Sequence, residues 1–290
     1  MPAGHTHSPI PHPDDIANFL AAPPEIPAAL LDVDLNPNGQ MQVLQEFLSF
    51  YPGLPWNGIT DPGLRYLYPN SWFGLADAIF LHCFLRRSQP RRIVEVGSGY
   101  SSAVLLDTID FAFPERPAVT LIEPEPDRLL KLLKPGDLDC VRIVSTRFQD
   151  SPREIIESLG SGDLLLIDSS HVIKLGSDLH FLLFDIMPRL PAGVHVHFHD
   201  IFYPFEYPAE WLARGTFLNE CYFIRAFLAY NDSWEITFFA DYAQSAHADF
   251  LQSKMPLCLA ERGSSLYLRR RKNHQDGLGA RSDATAIHHA

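Results

Sequence analysis

The chain has 290 residues, 46% of them hydrophobic and 20% charged, enough length and apolar content for one large α/β domain or two small ones. Lys and Arg number 23 against 35 Asp and Glu, and the formal charge of −12 disfavours nucleic acid or anionic lipid as a partner. No apolar run approaches the ~20 residues of a spanning helix, and no secretory signal pattern opens the chain. Four scattered cysteines without a C-x-x-C pair point to reduced thiols in a cytoplasmic protein.

Residues 1–40 are rich in proline and histidine and read as a partly ordered arm. Its His5, His7 and His12 belong to a solvated tail or to a weak metal site. MQVLQEFLSFY (41–51) reads as a helix, followed by a Pro/Gly/Trp-rich loop. Ser71 is placed to cap a second helix over about 73–87. Five short apolar runs follow: RIVEVG (92–97), VTLIEP (119–124), VRIVST (141–146), DLLLID (163–168) and GVHVHFHD (193–200). Predicted helices over 101–109, 126–134, 151–159 and 176–188 alternate with them, which is the pattern of a parallel sheet covered on both faces. WEITFFA (234–240) and SSLYLRR (264–270) are two further strands. The expected organisation is an arm and cap segment over 1–70, a main domain over 71–271 and a disordered tail over 272–290.

The most informative stretch is Glu95-Val96-Gly97-Ser98-Gly99-Tyr100-Ser101-Ser102 at the end of the first run. Glycines after a buried strand let a ligand approach the backbone, although a plain structural turn looks the same. A dinucleotide fingerprint wants glycine or alanine where Ser102 stands. Glu95 would also place like charge beside a pyrophosphate, so a cationic ligand such as S-adenosylmethionine suits the loop better. Glu123, 26 positions after Gly97, is placed to accept hydrogen bonds from a ribose diol, or is a solvated acid at a helix start. Asp150 is placed for an adenine amino group or for a helix cap.

On these residues the chain, over roughly 70–270, resembles the class I S-adenosylmethionine-dependent methyltransferases. Glu95-Val96-Gly97-Ser98-Gly99 looks like the first motif of that family, Glu123 like its ribose acid and Asp150 like its adenine contact. Ser101 stands where the family has a third glycine. The resemblance implies a Rossmann-like, doubly wound seven-stranded sheet, mostly parallel, with an antiparallel C-terminal hairpin. It also implies that Gly97, Ser98, Gly99, Ser101, Ser102 and Asp168 join the cofactor site.

The fourth run ends in Asp168-Ser169-Ser170-His171 and the fifth in His195-Val196-His197-Phe198-His199-Asp200. His195 and His197 read as buried structural residues, whereas His199 and Asp200 lie at the mouth of the strand. Methyl transfer to a hydroxyl needs a base, and His171 has the chemistry for it. Asp168 and Asp200 can share a divalent cation, with His199 adding nitrogen. The cluster resembles that of catechol-type O-methyltransferases, with Asp168, His171 and Asp200 at the metal, base and metal positions. Ile201 replaces the asparagine of that pattern. Tyr66 and Trp72 before the core, and Tyr203, Glu206 and Trp211 after the fifth strand, are the expected walls around a small-molecule acceptor. The competing readings are an NAD-dependent oxidoreductase and a catalytically silent S-adenosylmethionine-binding protein.

Overall fold

The computed structural model describes residues 1–56, 61 and 63–272. The predicted tail beyond residue 272 lies outside them. Seven strands form one sheet: β1 (Arg92–Val96), β2 (Ala118–Ile122), β3 (Val141–Val144), β4 (Leu164–Ile167), β5 (His195–Phe198), β6 (Trp234–Phe239) and β7 (Leu266–Arg270). Their order is β3-β2-β1-β4-β5-β7-β6. The first five are mutually parallel, and β7 runs antiparallel to both β5 and β6. This is the expected doubly wound sheet with its C-terminal hairpin.

The helices are α1 (Pro13–Ala21), α2 (Pro37–Phe47), α3 (Leu75–Ser88), α4 (Tyr100–Ala112), α5 (Asp127–Leu132), α6 (Glu154–Glu157), α7 (Asp178–Phe181), α8 (Ala209–Ala213), α9 (Glu220–Leu228), α10 (Ala240–Ala246) and α11 (Ala248–Lys254). Ser71 does not cap α3, which begins beyond Gly74. Asn70 organises this turn instead, its Oδ1 accepting from the amides of Trp72 and Phe73. The helix expected over 176–188 is α-helical only through Phe181, continues as a wider turn over Leu182–Ile186, and ends in a single 3-10 turn over Met187–Arg189, where Pro188 has no amide to donate.

Alternation along each central strand feeds two separate cores. Ile93, Leu164 and Leu166 join Phe80, Leu105 and Tyr267 on one face, whereas Val94, Val96, Leu165 and Ile167 join Phe198 and Leu268 on the other. His195 and His197 belong to the first face as neutral rings. His195 meets the edge of Phe84, His197 stacks on Tyr267 with centroids 4.5 Å apart, and burial pushes their pKa values down to about 4 and about 3.

Part of the expected arm belongs to this core. Val43, Leu44 and Phe47 of α2 are buried, and the Gln40 side chain accepts from Phe239 N and donates to Leu35 O. Asp32 pairs with Arg225 through two contacts of 3.1 Å. Arg65 is 4% exposed and binds Asp107, Asp110 and Asp137, so it ties the segment before α3 to α4 and to the turn before β3.

The strand ends matter most for function. β1, β2, β4 and β5 deliver Gly97, Glu123, Asp168 and Asp200 to one edge, at the point where the chain has wound outward in both directions from β1. Open α/β sheets carry their ligand crevice at such a point.

Candidate active site

A cavity of about 1070 Å³ opens along that edge. Its lining includes Gly97, Ser98, Gly99, Glu123, Phe148 and Gln149 together with Asp168, His171, Asp200, Trp72, Trp211 and Leu218. Gly97 has φ +80°, and a Cβ there would sit 1.7 Å from the carbonyl oxygen of Asp168. Only glycine lets the β1 turn and the end of β4 come this close. The loop is then fixed by side chains. Glu123 accepts from Ser98 N and from Glu125 N, each at 2.9 Å, and Ser102 Oγ accepts from Gly99 N at 3.0 Å while donating to Glu95.

Gly97, Ser98, Gly99, Glu123 and Asp168 thus stand in the cavity wall. Glu95, Ser101 and Ser102 do not. Glu95 shares the strand face of Ile93, which turns it under the start of α4 and away from the crevice. Burial pushes its pKa up to about 8, so its carboxyl is mostly neutral at pH 7 and braces the loop through Ser102. The charge argument drawn from Glu95 is therefore corrected: its carboxyl lies outside the cavity wall and is bonded to Ser102. Asp150 is also displaced from its expected role, because it points outward and pairs with Arg147 at 2.6 Å. Its neighbour Gln149 faces the cavity instead. Gln149 Oε1, Ser98 Oγ and Ser169 Oγ are buried without hydrogen-bond partners in residues lining that wall, as expected where a polar ligand belongs.

After β4 and β5, two imidazoles sit among four carboxyl groups. His171 Nε2 lies 3.5 Å from Asp168 Oδ1 and 3.5 Å from Asp200 Oδ2, while its Nδ1 donates to Glu220 Oε2 at 2.7 Å. His199 Nδ1 lies 3.3 Å from Asp168 Oδ1 and 3.5 Å from Asp200 Oδ1; its Nε2 is 3.1 Å from Ser264 Oγ and 3.7 Å from Asp77 Oδ2. Both His171 (φ +55°) and Asp200 (φ +59°) have left-handed backbone, a strain typical of side chains held for function.

Burial opposes charge on both histidines, but the surrounding carboxylates outweigh it and raise both pKa values well above the usual range. Burial likewise pushes Asp168 upward, and the two imidazoles overcome it to hold that carboxyl far below the usual range. For Asp200 and Glu220 burial wins, and both are raised. His171 therefore holds a proton at neutral pH while its carboxylates have no other cation to meet. A free base with an ordinary pKa, as the sequence suggested, is not what the structure builds.

Asp168, His199 and Asp200 offer ligand atoms within 4.8 Å of one another. His199 Nδ1 is buried without a hydrogen-bond partner and faces the two carboxylates, while Ser264 and Asp77 engage its other nitrogen. This is the arrangement in which an outer carboxylate orients a ligating imidazole, and it fits a divalent cation.

Of the five expected acceptor residues, Trp72 and Trp211 reach the cavity. Trp72 carries the Arg128 guanidinium 3.6 Å from its ring centroid, and Trp211 stacks on Tyr207. The other three do not line it. Tyr66 is buried and donates its hydroxyl to Phe73 O at 2.8 Å. Tyr203 packs against Phe239 and Tyr242 and donates to Pro27 O. Glu206 accepts from Tyr222 Oη at 2.6 Å and from Tyr207 N at 2.9 Å. The two tyrosines engage backbone carbonyls with their hydroxyls, and Glu206 engages Tyr207 and Tyr222 through Oε1. Sequence reasoning missed Gln149, Glu220 and Asp77. Glu220 follows Asn219 at a helix start and reads as an ordinary first-turn acid, so nothing local marks it.

Residues 94–201 match a family model described as a methyltransferase domain. A protein of Archaeoglobus fulgidus described as uncharacterized is 28% identical over 135 residues, which is 45% of this chain and 61% of that protein. The match thus spans about three fifths of the relative's length. Solved structures similar to the chain include a Podospora anserina methyltransferase bound to SAH (12% identity, 89% of this chain and 95% of that one, TM-score 0.44). Two others are the O-methyltransferase TomG of Streptomyces achromogenes in complex with SAM (15%, 89% and 96%, TM-score 0.40) and a Bacillus cereus O-methyltransferase with SAH (15%, 89% and 97%, TM-score 0.43). Within the matched residues, the glycine loop and the Asp168–His171–Asp200 cluster line one cavity. No helix among the described residues is long and apolar enough to cross a membrane.

Proposed function

We propose that the chain transfers the methyl group of S-adenosylmethionine to a hydroxyl of a small-molecule acceptor. The observation that carries this reading is the acidic cluster around His171, placed beside the glycine loop in a single cavity. A sulfonium and an ammonium are cations, and Asp168 and Asp200 give the anionic surroundings that the loop itself lacks. Glu123 keeps lone pairs for a ribose diol on both carboxylate oxygens, and Gln149 Oε1 and Ser169 Oγ are free to meet an adenosyl group.

The roles of the protein's groups follow from this. Trp72, Trp211 and Leu218 exclude water from the acceptor and orient it. His171 accepts the hydroxyl proton on Nε2. It is able to do so once cationic ligands occupy Asp168 and Asp200, because those carboxylates otherwise keep the imidazole protonated. Asp168, His199 and Asp200 are the residues that would hold a divalent cation, which would lower the pKa of the acceptor hydroxyl. The nitrogen donor favours manganese, iron or zinc over magnesium. The setting proposed for this chemistry is the cytoplasm.

The test is formation of S-adenosylhomocysteine from S-adenosylmethionine with a panel of hydroxylated aromatic acceptors, comparing the wild type with His171→Asn. The reading requires turnover that the substitution reduces by about 10²-fold or more. Equal turnover in the two proteins would refute the role of His171.

A further inference from the structure

Glu220 is the first residue of α9 and is 1% exposed. A first-turn acid ordinarily gains from the helix dipole at the surface, without the cost of burial. Among the described residues, its one side-chain hydrogen-bond partner is the His171 imidazole at 2.7 Å, and its Oε1 has none. The main chain is gripped at the same place. The amides of Asn219 and Glu220 donate to His171 O at 3.2 and 3.3 Å, and Asn219 Oδ1 accepts from Ile173 N at 2.7 Å. The start of α9 thus holds both the left-handed backbone of His171 and its ring.

An imidazole that donates Nδ1–H to a carboxylate presents Nε2 on its opposite side. Here Nε2 is the atom between Asp168 and Asp200, facing the cavity. A flipped ring would leave the Glu220 carboxyl buried without its partner. We propose that Glu220 is a positioning residue: it fixes the ring orientation of His171 so that Nε2 is the nitrogen offered to the acceptor. This rests on the methyl-transfer reading for its purpose, though not for its geometry. Trp211, Thr216 and Leu218, which line the cavity, lead directly into α9, so Glu220 also links His171 to the wall that touches the acceptor.

The test uses the full chain, stripped of metal by chelation and labelled with isotopic nitrogen at histidine, with His171→Asn assigning the His171 signals by their disappearance. The wild type should show a hydrogen-bonded, slowly exchanging proton on Nδ1 of His171. Glu220→Ala should lose it, and Glu220→Gln, whose amide oxygen can accept the same hydrogen bond, should keep it. With an acceptor in hand, Glu220→Ala should lower kcat by about 10–100-fold with KM nearly unchanged. An unmoved His171 signal in Glu220→Ala, or a wild type without the Nδ1 proton, would overturn the proposal. If Glu220→Ala fails to fold, the wild-type and Glu220→Gln spectra still decide it. S-adenosylmethionine affinity, measured on the same samples, separates the two claims: absence of binding by the wild type would sink the methyl-transfer reading and leave the ring-orientation result standing.

Discussion

Replacing Gly97 with alanine tests the close approach between the β1 turn and β4 that shapes the cavity at the glycine loop. At φ +80° an alanine costs about 1–2 kcal/mol from backbone conformation alone. The added Cβ would also lie 1.7 Å from the Asp168 carbonyl oxygen and 2.6 Å from its carbon. These are backbone atoms of a residue whose amide donates to Val96 O, so relief requires moving the end of β4, at a further cost of about 1–3 kcal/mol. A total of about 2–5 kcal/mol lowers the melting midpoint by roughly 5–15 °C in a protein of this size. Asp168 would move with its carbonyl, and a displacement on the order of 1 Å in a binding constellation is worth about 10²-fold. Gly136→Ala is the matched control, because its φ is +90° and nothing lies within 4 Å of the added carbon. It should lose only about 2–6 °C and leave cofactor affinity intact. Thermal denaturation with and without S-adenosylmethionine, and calorimetric titration, measure both effects. If Gly97→Ala matched Gly136→Ala in midpoint and affinity, the close approach would not be what shapes the site.

Three further outcomes follow from the same structure. Arg65→Met leaves Asp107 and Asp137 buried without their guanidinium, so chemical denaturation should show a loss of about 3–5 kcal/mol. His195 is held neutral, with its pKa lowered from 6.5 to about 4, so the folded state binds fewer protons than the unfolded chain in that window. The stability it contributes is complete above pH 6.5 and is lost as pH falls toward 4, amounting to about 3 kcal/mol at the acid end. His195→Phe should flatten the dependence of unfolding free energy on pH there, and an unchanged slope would contradict the assignment. Direct metal titration should show one divalent ion bound per chain by the wild type and none by Asp168→Asn, whereas equal binding by both would remove Asp168 from the metal site.

How far the sequence could be read followed from which physical signals are local. The apolar runs announced all seven strands, because a strand covered on both faces must be apolar along its length. Gly97, Glu123, Asp168 and Asp200 were legible because each lies within two residues of a strand end. Glu95 was misjudged through strand alternation: position 95 shares the face of Ile93 and turns under α4. Asp150 and Gln149 differ by one place on a tight turn, where a single residue decides which side chain faces inward. Tyr66 and Tyr203 failed as acceptor residues because a loop aromatic reads the same whether it covers a ligand or fills a core. Glu220 and Asp77 were invisible because their partners, His171 and His199, are 49 and 122 positions away in the chain.

The most direct measurement is calorimetric titration of the wild type with S-adenosylmethionine, S-adenosylhomocysteine and NAD. Saturable binding of the two sulfur nucleosides, weakened in Glu123→Ala, and no heat from NAD is the predicted result. Saturable NAD binding with neither sulfur nucleoside bound would contradict it.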